Sequence, residues 1–199
     1  MKAEEIHSRL TVPWRHGDYV DLAGIVCDGQ LDLSGLDVTG VDFTGAVFPE
    51  GFAATGTRFL GISWFRGAQF EGPARFDNAV FSLDARFENA AFAGDARFEG
   101  AEFRGIGRFD GARFAAGAQF ERVVSYGNFS LHGAHVAKEA NFRGAEWLGG
   151  LWFEDARFAQ EPDLSDTQVH GRLWLRRAMI GNERLSEAAF AMSYGYTYL

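Results

Sequence analysis

The sequence predicts an all-β solenoid, and three observations carry the prediction. Phenylalanine stands at 59, 65, 70, 76, 81, 87, 92, 98, 103, 109, 114 and 120, in steps that alternate six and five residues without a slip. A short fixed period with a bulky apolar residue marks a chain that stacks coil upon coil. Alanine usually stands two residues before the large residue, as at Ala68, Ala74, Ala79, Ala85, Ala90, Ala96, Ala101, Ala112 and Ala118. In an extended chain a spacing of two puts both side chains on one face, so each short segment points one large and one small residue inward. The same steps also reach far beyond the central stretch. Forward they land on Ser125, Leu131, Val136, Phe142, Trp147, Phe153, Phe158, Leu164, Val169, Leu175 and Ile180; backward they land on Ala54, Phe48, Phe43, Val38, Leu33, Cys27 and Leu22. Seventeen of the 20 phenylalanines fall on these positions, where chance would place about three. A helix would need apolar residues three and four apart, and hairpins would need turn signals at irregular spacing.

Taken in order, the first element is an N-terminal cap over residues 1–20. Ile6 and Leu10 lie four apart with Glu4 and Glu5 in the first turn, which suits a short helix covering the open end of the first coil. Such caps are needed because a terminal coil exposes unpaired strands and apolar core. Residues 21–181 form the repeat region. Between the inward residues lie Arg, Glu, Asp, Gln, Asn and Gly, suited to a solvated outer face and to corners. Residues 123–131 are irregular: Ser125 occupies a large-residue position and Phe129 an alanine position. Either Phe129 fills the space Ser125 leaves, or the coil bulges. Residues 182–199 are expected to form a helical and aromatic C-terminal cap. Leu185, Ala188, Ala189, Phe190 and Met192 give an apolar stripe at helical spacing over 183–193, followed by Tyr194, Tyr196 and Tyr198.

The repeat resembles the pentapeptide-repeat family, whose unit is Ala, then Asp or Asn, then Leu or Phe, then two polar or small residues. Leu31-Asp32-Leu33-Ser34-Gly35, Val41-Asp42-Phe43-Thr44-Gly45 and Ala112-Arg113-Phe114-Ala115-Ala116 carry the resemblance, which covers roughly residues 20–180. It implies a right-handed, four-sided β-helix whose bore is filled by the large residue and the alanine before it. This chain departs from the common pattern by one extra residue in every second unit, such as Gly94-Asp95 before Ala96. The expected coil has 22 residues and four faces, with a widened corner after every second face. About seven coils, capped by short helices at both ends, would make a rod roughly 35 Å long at a strand spacing of ~4.8 Å.

Function is less sharply marked. The formal net charge of −8 argues against direct nucleic-acid binding. Some pentapeptide-repeat proteins imitate DNA and bind gyrase or topoisomerase, protecting against topoisomerase poisons. That role needs concentrated acid, whereas residues 70–125 interleave nine acids with seven arginines. The alternating pairs Arg75/Asp77, Arg86/Glu88, Arg97/Glu99 and Arg108/Asp110 suit a mutually neutralising surface.

Catalytic signals are absent: there is no phosphate-binding G-x-x-x-x-G-K-[ST], no H-E-x-x-H and no C-x-x-C. His132 and His135 lack a third metal ligand, with His170 farther on, and read as surface histidines. The single cysteine, Cys27, falls on the lattice and reads as a small buried residue. With no disulfide, no basic-then-apolar leader and no run of 18 apolar residues, the expectation is a cytoplasmic protein without a membrane segment. No enzyme activity, cofactor or metal is expected.

The candidate interaction surface is aromatic. Trp152 and Trp174 each precede an inward residue and so point outward, and their 22-residue separation stacks them in adjacent coils. With Phe190, Tyr194, Tyr196 and Tyr198 they form the candidate site. Two alternatives stay open: the tail covers the pair and plugs its own coil, or this end makes a homodimer or partner contact. The expected role is a non-catalytic protein-interaction scaffold, with DNA-mimicking gyrase or topoisomerase binding as the alternative.

Overall fold

Inward residues recur every five or six positions, so each strand must be short before the chain turns. In the computed structural model, which describes all 199 residues, the strands are two or three residues long. Most pair in parallel with the strand 22 residues on, as Ala74 and Arg75 do with Ala96 and Arg97, and Phe81 with Phe103, while the first strands pair 21 residues on, as Tyr19 does with Gly40, and the last 24, as Leu173 does with Thr197. Four walls result. Wall 1 holds nine strands from Tyr19–Asp21 to Thr197–Tyr198. Wall 2 runs from Val47–Phe48 to Met179–Ile180 and ends in an added strand, Glu183–Arg184. Wall 3 holds six strands from Leu31–Asp32 to Ala140–Asn141, and wall 4 eight from Asp37–Val38 to Met192–Ser193.

The two step lengths turn their corners differently. From Ala54 onward, every five-residue step passes through a left-handed residue two places after the inward one: Gly56, Gly67, Asn78, Asn89, Gly100, Gly111, Arg122, Gly133, Gly144, Asp155, Asp166 and Arg177. Glycine meets that demand without steric cost, and Asn and Asp tolerate it better than most residues. The six-residue steps from Ala54 onward turn through bends instead and use a left-handed residue only at Gly150. At one six-residue corner, between walls 4 and 1, the coils approach so closely that a Cβ on Gly127 would lie 2.4 Å from the Gly105 carbonyl oxygen.

The bore is filled with rings. Phe76, Phe98 and Phe120 stack at 4.8 and 5.0 Å with planes 4° and 6° apart, because the strand spacing sets the ring spacing. Rings from different walls meet edge to face, as Phe87 and Phe98 do at 5.5 Å and 89°, the arrangement aromatic quadrupoles favour. Every large-residue position from Leu22 to Leu175 is buried, and so are the small Ala54 and Ser125. Cys27 is buried as expected; its thiol donates to the Gly29 carbonyl at 3.3 Å, and burial raises its pKa.

At the irregular coil, Phe129 fills the space over Ser125. Ser125 stands in register between Phe103 and Trp147, and the Phe129 ring reaches both, at 5.2 and 6.4 Å. The neighbouring coil makes room with Gly107, where a Cβ would lie 2.8 Å from the Phe129 ring. Phe52 and Ala54 show the same exchange, with Phe52 stacking on Phe76 at 5.0 Å.

The N-terminal cap is the expected helix, α1 (Ala3–Leu10), which buries Ile6 and Leu10 beside the strand Leu31–Asp32. Its first residue is tied to the first coil, Ala3 N–H donating to the Asp28 carbonyl at 3.0 Å. The repeat begins at Tyr19, two residues earlier than read from the sequence.

The C-terminal cap differs from expectation. No helix spans 183–193. Glu183–Arg184 folds back antiparallel on Met179–Ile180, and a single 3-10 turn follows at Glu187–Ala189 with Ser186 accepting from Ala188 N–H. Met192–Ser193 and Thr197–Tyr198 then extend walls 4 and 1. The open edges of the last coil offer backbone partners that an isolated short helix would leave unpaired. The apparent helical stripe dissolves in the same way: only Leu185 and Phe190 of it are buried, while Ala188, Ala189 and Met192 are exposed. The repeat therefore makes about eight turns, with a helical cap at one end only.

Candidate functional site

The strand register places one outward residue per coil along wall 1: Trp64, Arg86, Arg108, Ser130, Trp152, Trp174 and Tyr198. Trp152 and Trp174 stack at 6.2 Å and 16°, so the sequence-predicted pair does form. Tyr198 lies on Trp174 at 3.8 Å and 7°. The tail reaches the pair as the next strand of the wall. Both indoles remain partly exposed, and Tyr198 is exposed.

The remaining predicted residues separate into two groups. Phe190 is a correction: it is buried in the bore against Trp147 and Phe153, at 6.5 and 6.1 Å, and plugs the last coil. It belongs to no surface. Tyr194 and Tyr196 are strongly exposed, at 61% and 81%. Tyr194 stacks on His170 at 5.0 Å, and His170 in turn faces the Glu146 carboxylate at 3.1 Å.

Two further members escaped the sequence reading. Tyr126 and Leu148 are exposed and stand one residue beyond the inward positions 125 and 147, in one column with Arg104, His170 and Tyr194. The 22-residue stacking rule finds them when it is applied after the inward residue as well as before it. Trp64 likewise shares the column of Trp152, four coils earlier, where Tyr19 packs edge-on against it at 5.5 Å. The edge between walls 4 and 1 is therefore aromatic toward the C-terminal end of the rod.

Much of the rest of the surface is ionic, and part of it is paired. Arg97 Nε binds the Asp77 carboxylate of the preceding coil at 3.1 Å, and its terminal nitrogen binds Glu99 of its own coil at 3.0 Å. Arg122 bridges Glu99 and Glu121. Arg177 binds Asp155 at 2.6 Å and holds that carboxyl below its usual range. These contacts join neighbouring columns of opposite sign, as the alternating sequence suggests.

No three His, Cys, Asp or Glu side chains converge as metal ligands. His132 Nδ1 faces Glu154 at 3.9 Å, while His135 stands on an exposed strand of wall 2. The surface depressions are open, the largest of those on the walls about 430 Å³. No helix is long and apolar enough to cross a membrane.

The family model for pentapeptide repeats, in nine copies, matches residues 22–80, 54–102, 76–124 and 126–179. The chain belongs to the pentapeptide-repeat family. Its repeats are thus the family's repeats, and the four-walled coil is the form they take here. Among solved structures it is similar to HetL, a pentapeptide-repeat protein involved in heterocyst differentiation regulation from the cyanobacterium Nostoc. Identity is 14%, coverage 98% of this chain and 92% of that one, and the TM-score 0.29. It is also similar to QnrB1, a plasmid-mediated fluoroquinolone resistance protein, at 20% identity, 90% coverage of each chain and a TM-score of 0.26. No curated protein sequence matches this pentapeptide-repeat chain.

Proposed function

We propose that this chain is a non-catalytic interaction scaffold, and that its partner-binding surface is the aromatic edge formed by Trp152, Trp174, Tyr194, Tyr196 and Tyr198. The observation that carries this reading is the contrast along the rod. Elsewhere the outer side chains are mostly small, polar or charged, and the pair Tyr19–Trp64 near the N-terminus meets edge-on, whereas here Trp152, Trp174 and Tyr198 stack face to face at the surface. Large rigid aromatics lose little conformational freedom on binding and dominate contact energies where they occur. A rod with open walls has no enclosed cleft that would perturb a carboxylate for acid–base work, which favours a scaffold over an enzyme.

Changing Trp152 and Trp174 together to Ser tests the reading. The bore is filled by inward residues such as Leu151, Phe153 and Leu173 and not by the outward indoles, so the variant should keep its strand signature and lose only the outer stack with Tyr198, with a small fall in melting temperature. Capture of partners from the native extract, or the mass in solution if the partner is a second copy, should change relative to the unaltered chain. Unchanged capture and unchanged mass together with a much lower melting temperature would make the indoles structural and overturn the reading.

The alternative, a DNA-mimicking binder of gyrase or topoisomerase, has weaker support. Asp77, Glu99, Glu102 and Asp155 each carry an arginine partner on the surface, so the acids do not form an uninterrupted row of free carboxylates in the manner of a line of phosphates.

A further inference from the structure

The outer column of wall 1 has a gap. Arg86 and Arg108 occupy it in two successive coils, Trp152 and Trp174 in two later ones, and the small Ser130 lies between. At ~4.8 Å per coil, the strands bearing Arg108 and Trp152 stand roughly 10 Å apart, room for one planar group between their side chains. A depression of about 330 Å³ lies at this gap, lined among others by Arg108, Asp110, Ser130, His132, Trp152 and Glu154.

The lining has a definite polarity. Trp174 stacks on one face of Trp152, and the register leaves the other face toward Ser130. Carboxylates stand on the two flanking coils, both largely enclosed, with side-chain exposures of 28% for Asp110 and 14% for Glu154. Each keeps one oxygen that accepts no hydrogen bond. Asp110 Oδ1 accepts from the Ser130 hydroxyl, while Oδ2 accepts no hydrogen bond and lies 3.5 Å from Arg108 Nε. Glu154 Oε1 accepts from Arg176 Nε at 2.5 Å, while Oε2 has only His132 Nδ1 at 3.9 Å.

We propose that this gap is a binding slot for the guanidinium of an arginine side chain on a protein partner, an inference that rests on the scaffold reading for the source of the arginine. A guanidinium is planar, so it stacks on an indole face, and it offers donors on two sides for the two carboxylate oxygens that accept no hydrogen bond. The chain shows the same solution with its own arginines. Arg97 on wall 3 bridges the acid of the preceding coil and that of its own, and Arg86 sits between Asp84 and Glu88 at 3.6 and 2.8 Å. A guest arginine over Ser130 completes the series that the sequence breaks. A neutral aromatic guest would bury both carboxylate oxygens without giving them donors, which is unfavourable, and the acidic net charge disfavours a nucleic-acid base with its phosphates.

The probe is the capped tripeptide acetyl-Gly-Arg-Gly-amide, titrated into the full chain while the indole N–H signals of the five tryptophans are followed by NMR. The expected result is a saturable shift of the Trp152 signal, with Trp64 and Trp147 unmoved. The citrulline analogue, equal in shape but uncharged, should bind at least about tenfold more weakly, as should the arginine peptide to Glu154→Gln. Ser130→Arg should fill the slot from within, abolish peptide binding and melt no lower than the parent. If it misfolds, Glu154→Gln and the citrulline peptide still decide the matter. No shift of Trp152, equal binding of arginine and citrulline peptides, or undiminished binding to Ser130→Arg would each overturn the slot. Free L-arginine binding more tightly than the peptide would overturn the protein source. Failure here leaves the aromatic-edge reading standing, because that reading is tested separately by the Trp152/Trp174 variant.

Discussion

Phe98 and Arg97 are chain neighbours on opposite sides of the wall. Phe98 is fully buried between Phe76 and Phe120, whereas the Arg97 side chain is 44% exposed and engages two carboxylates. Phe98→Ala removes a ring from a stack that cannot collapse, because the backbone ladder fixes the coil spacing; it should cost about 3–5 kcal/mol. Arg97→Ala loses solvent-screened pairs and should cost under about 1 kcal/mol. Chemical denaturation of the two variants checks this, and similar losses would contradict the inward and outward assignment. At this scale the sequence was legible wherever the period of two in an extended strand applied, which covers the inward residues from Leu22 to Leu175. It was not legible for Phe190, which lies off the lattice and looked like surface. Its burial depends on where the last turn of chain returns over the bore, and no local pattern encodes that.

Among the elements, the coil around residues 107–129 shows how the lattice absorbs a local error. Ser125, Phe129 and Gly107 form one packing unit: a missing ring, the ring that replaces it and the space that admits that ring. Gly107→Ala alone forces its Cβ against Phe129 and should cost about 1–3 kcal/mol. Phe129→Ala alone empties the site and should cost about 3–5 kcal/mol. The triple variant Gly107→Ala, Ser125→Phe and Phe129→Ala restores the regular repeat and should recover most of both losses. Melting of the three proteins measures the coupling; strictly additive losses would show that the residues pack independently. The C-terminal segment is the element the sequence misread. Its apolar spacing fits a helix, but propensity and spacing describe an isolated segment. Here the unpaired edges of walls 1 and 4 supply strand partners, and Thr197 and Tyr198 suit a strand as well.

On the scale of the whole molecule, the rod carries its charge as a lattice too. Residues 22 apart stack, so each sequence column becomes a stripe, and the pairing of Arg97 with Asp77 and of Arg122 with Glu99 ties stripes of opposite sign together. The architecture and the sign alternation could both be read from the period. The aromatic edge was half legible, because Trp152 and Trp174 announce themselves while Tyr126 and Leu148 join only when neighbouring walls meet at a corner. The charge lattice bears directly on DNA mimicry. A rod that replaces DNA on a basic saddle must offer unpaired negative charge at regular intervals, and such binding weakens steeply with salt. On walls 1 and 3, Arg75, Arg86, Arg97 and Arg108 would face that saddle and be repelled. Walls 2 and 4 lack this arginine series, but they carry Arg104, which binds Glu102 at 2.7 Å, and Arg113. The expected outcome is therefore no inhibition of gyrase supercoiling at micromolar protein and no protection against fluoroquinolones on expression. Salt-sensitive inhibition at submicromolar protein would show that the unpaired acids suffice, and would replace the scaffold reading with the topoisomerase one.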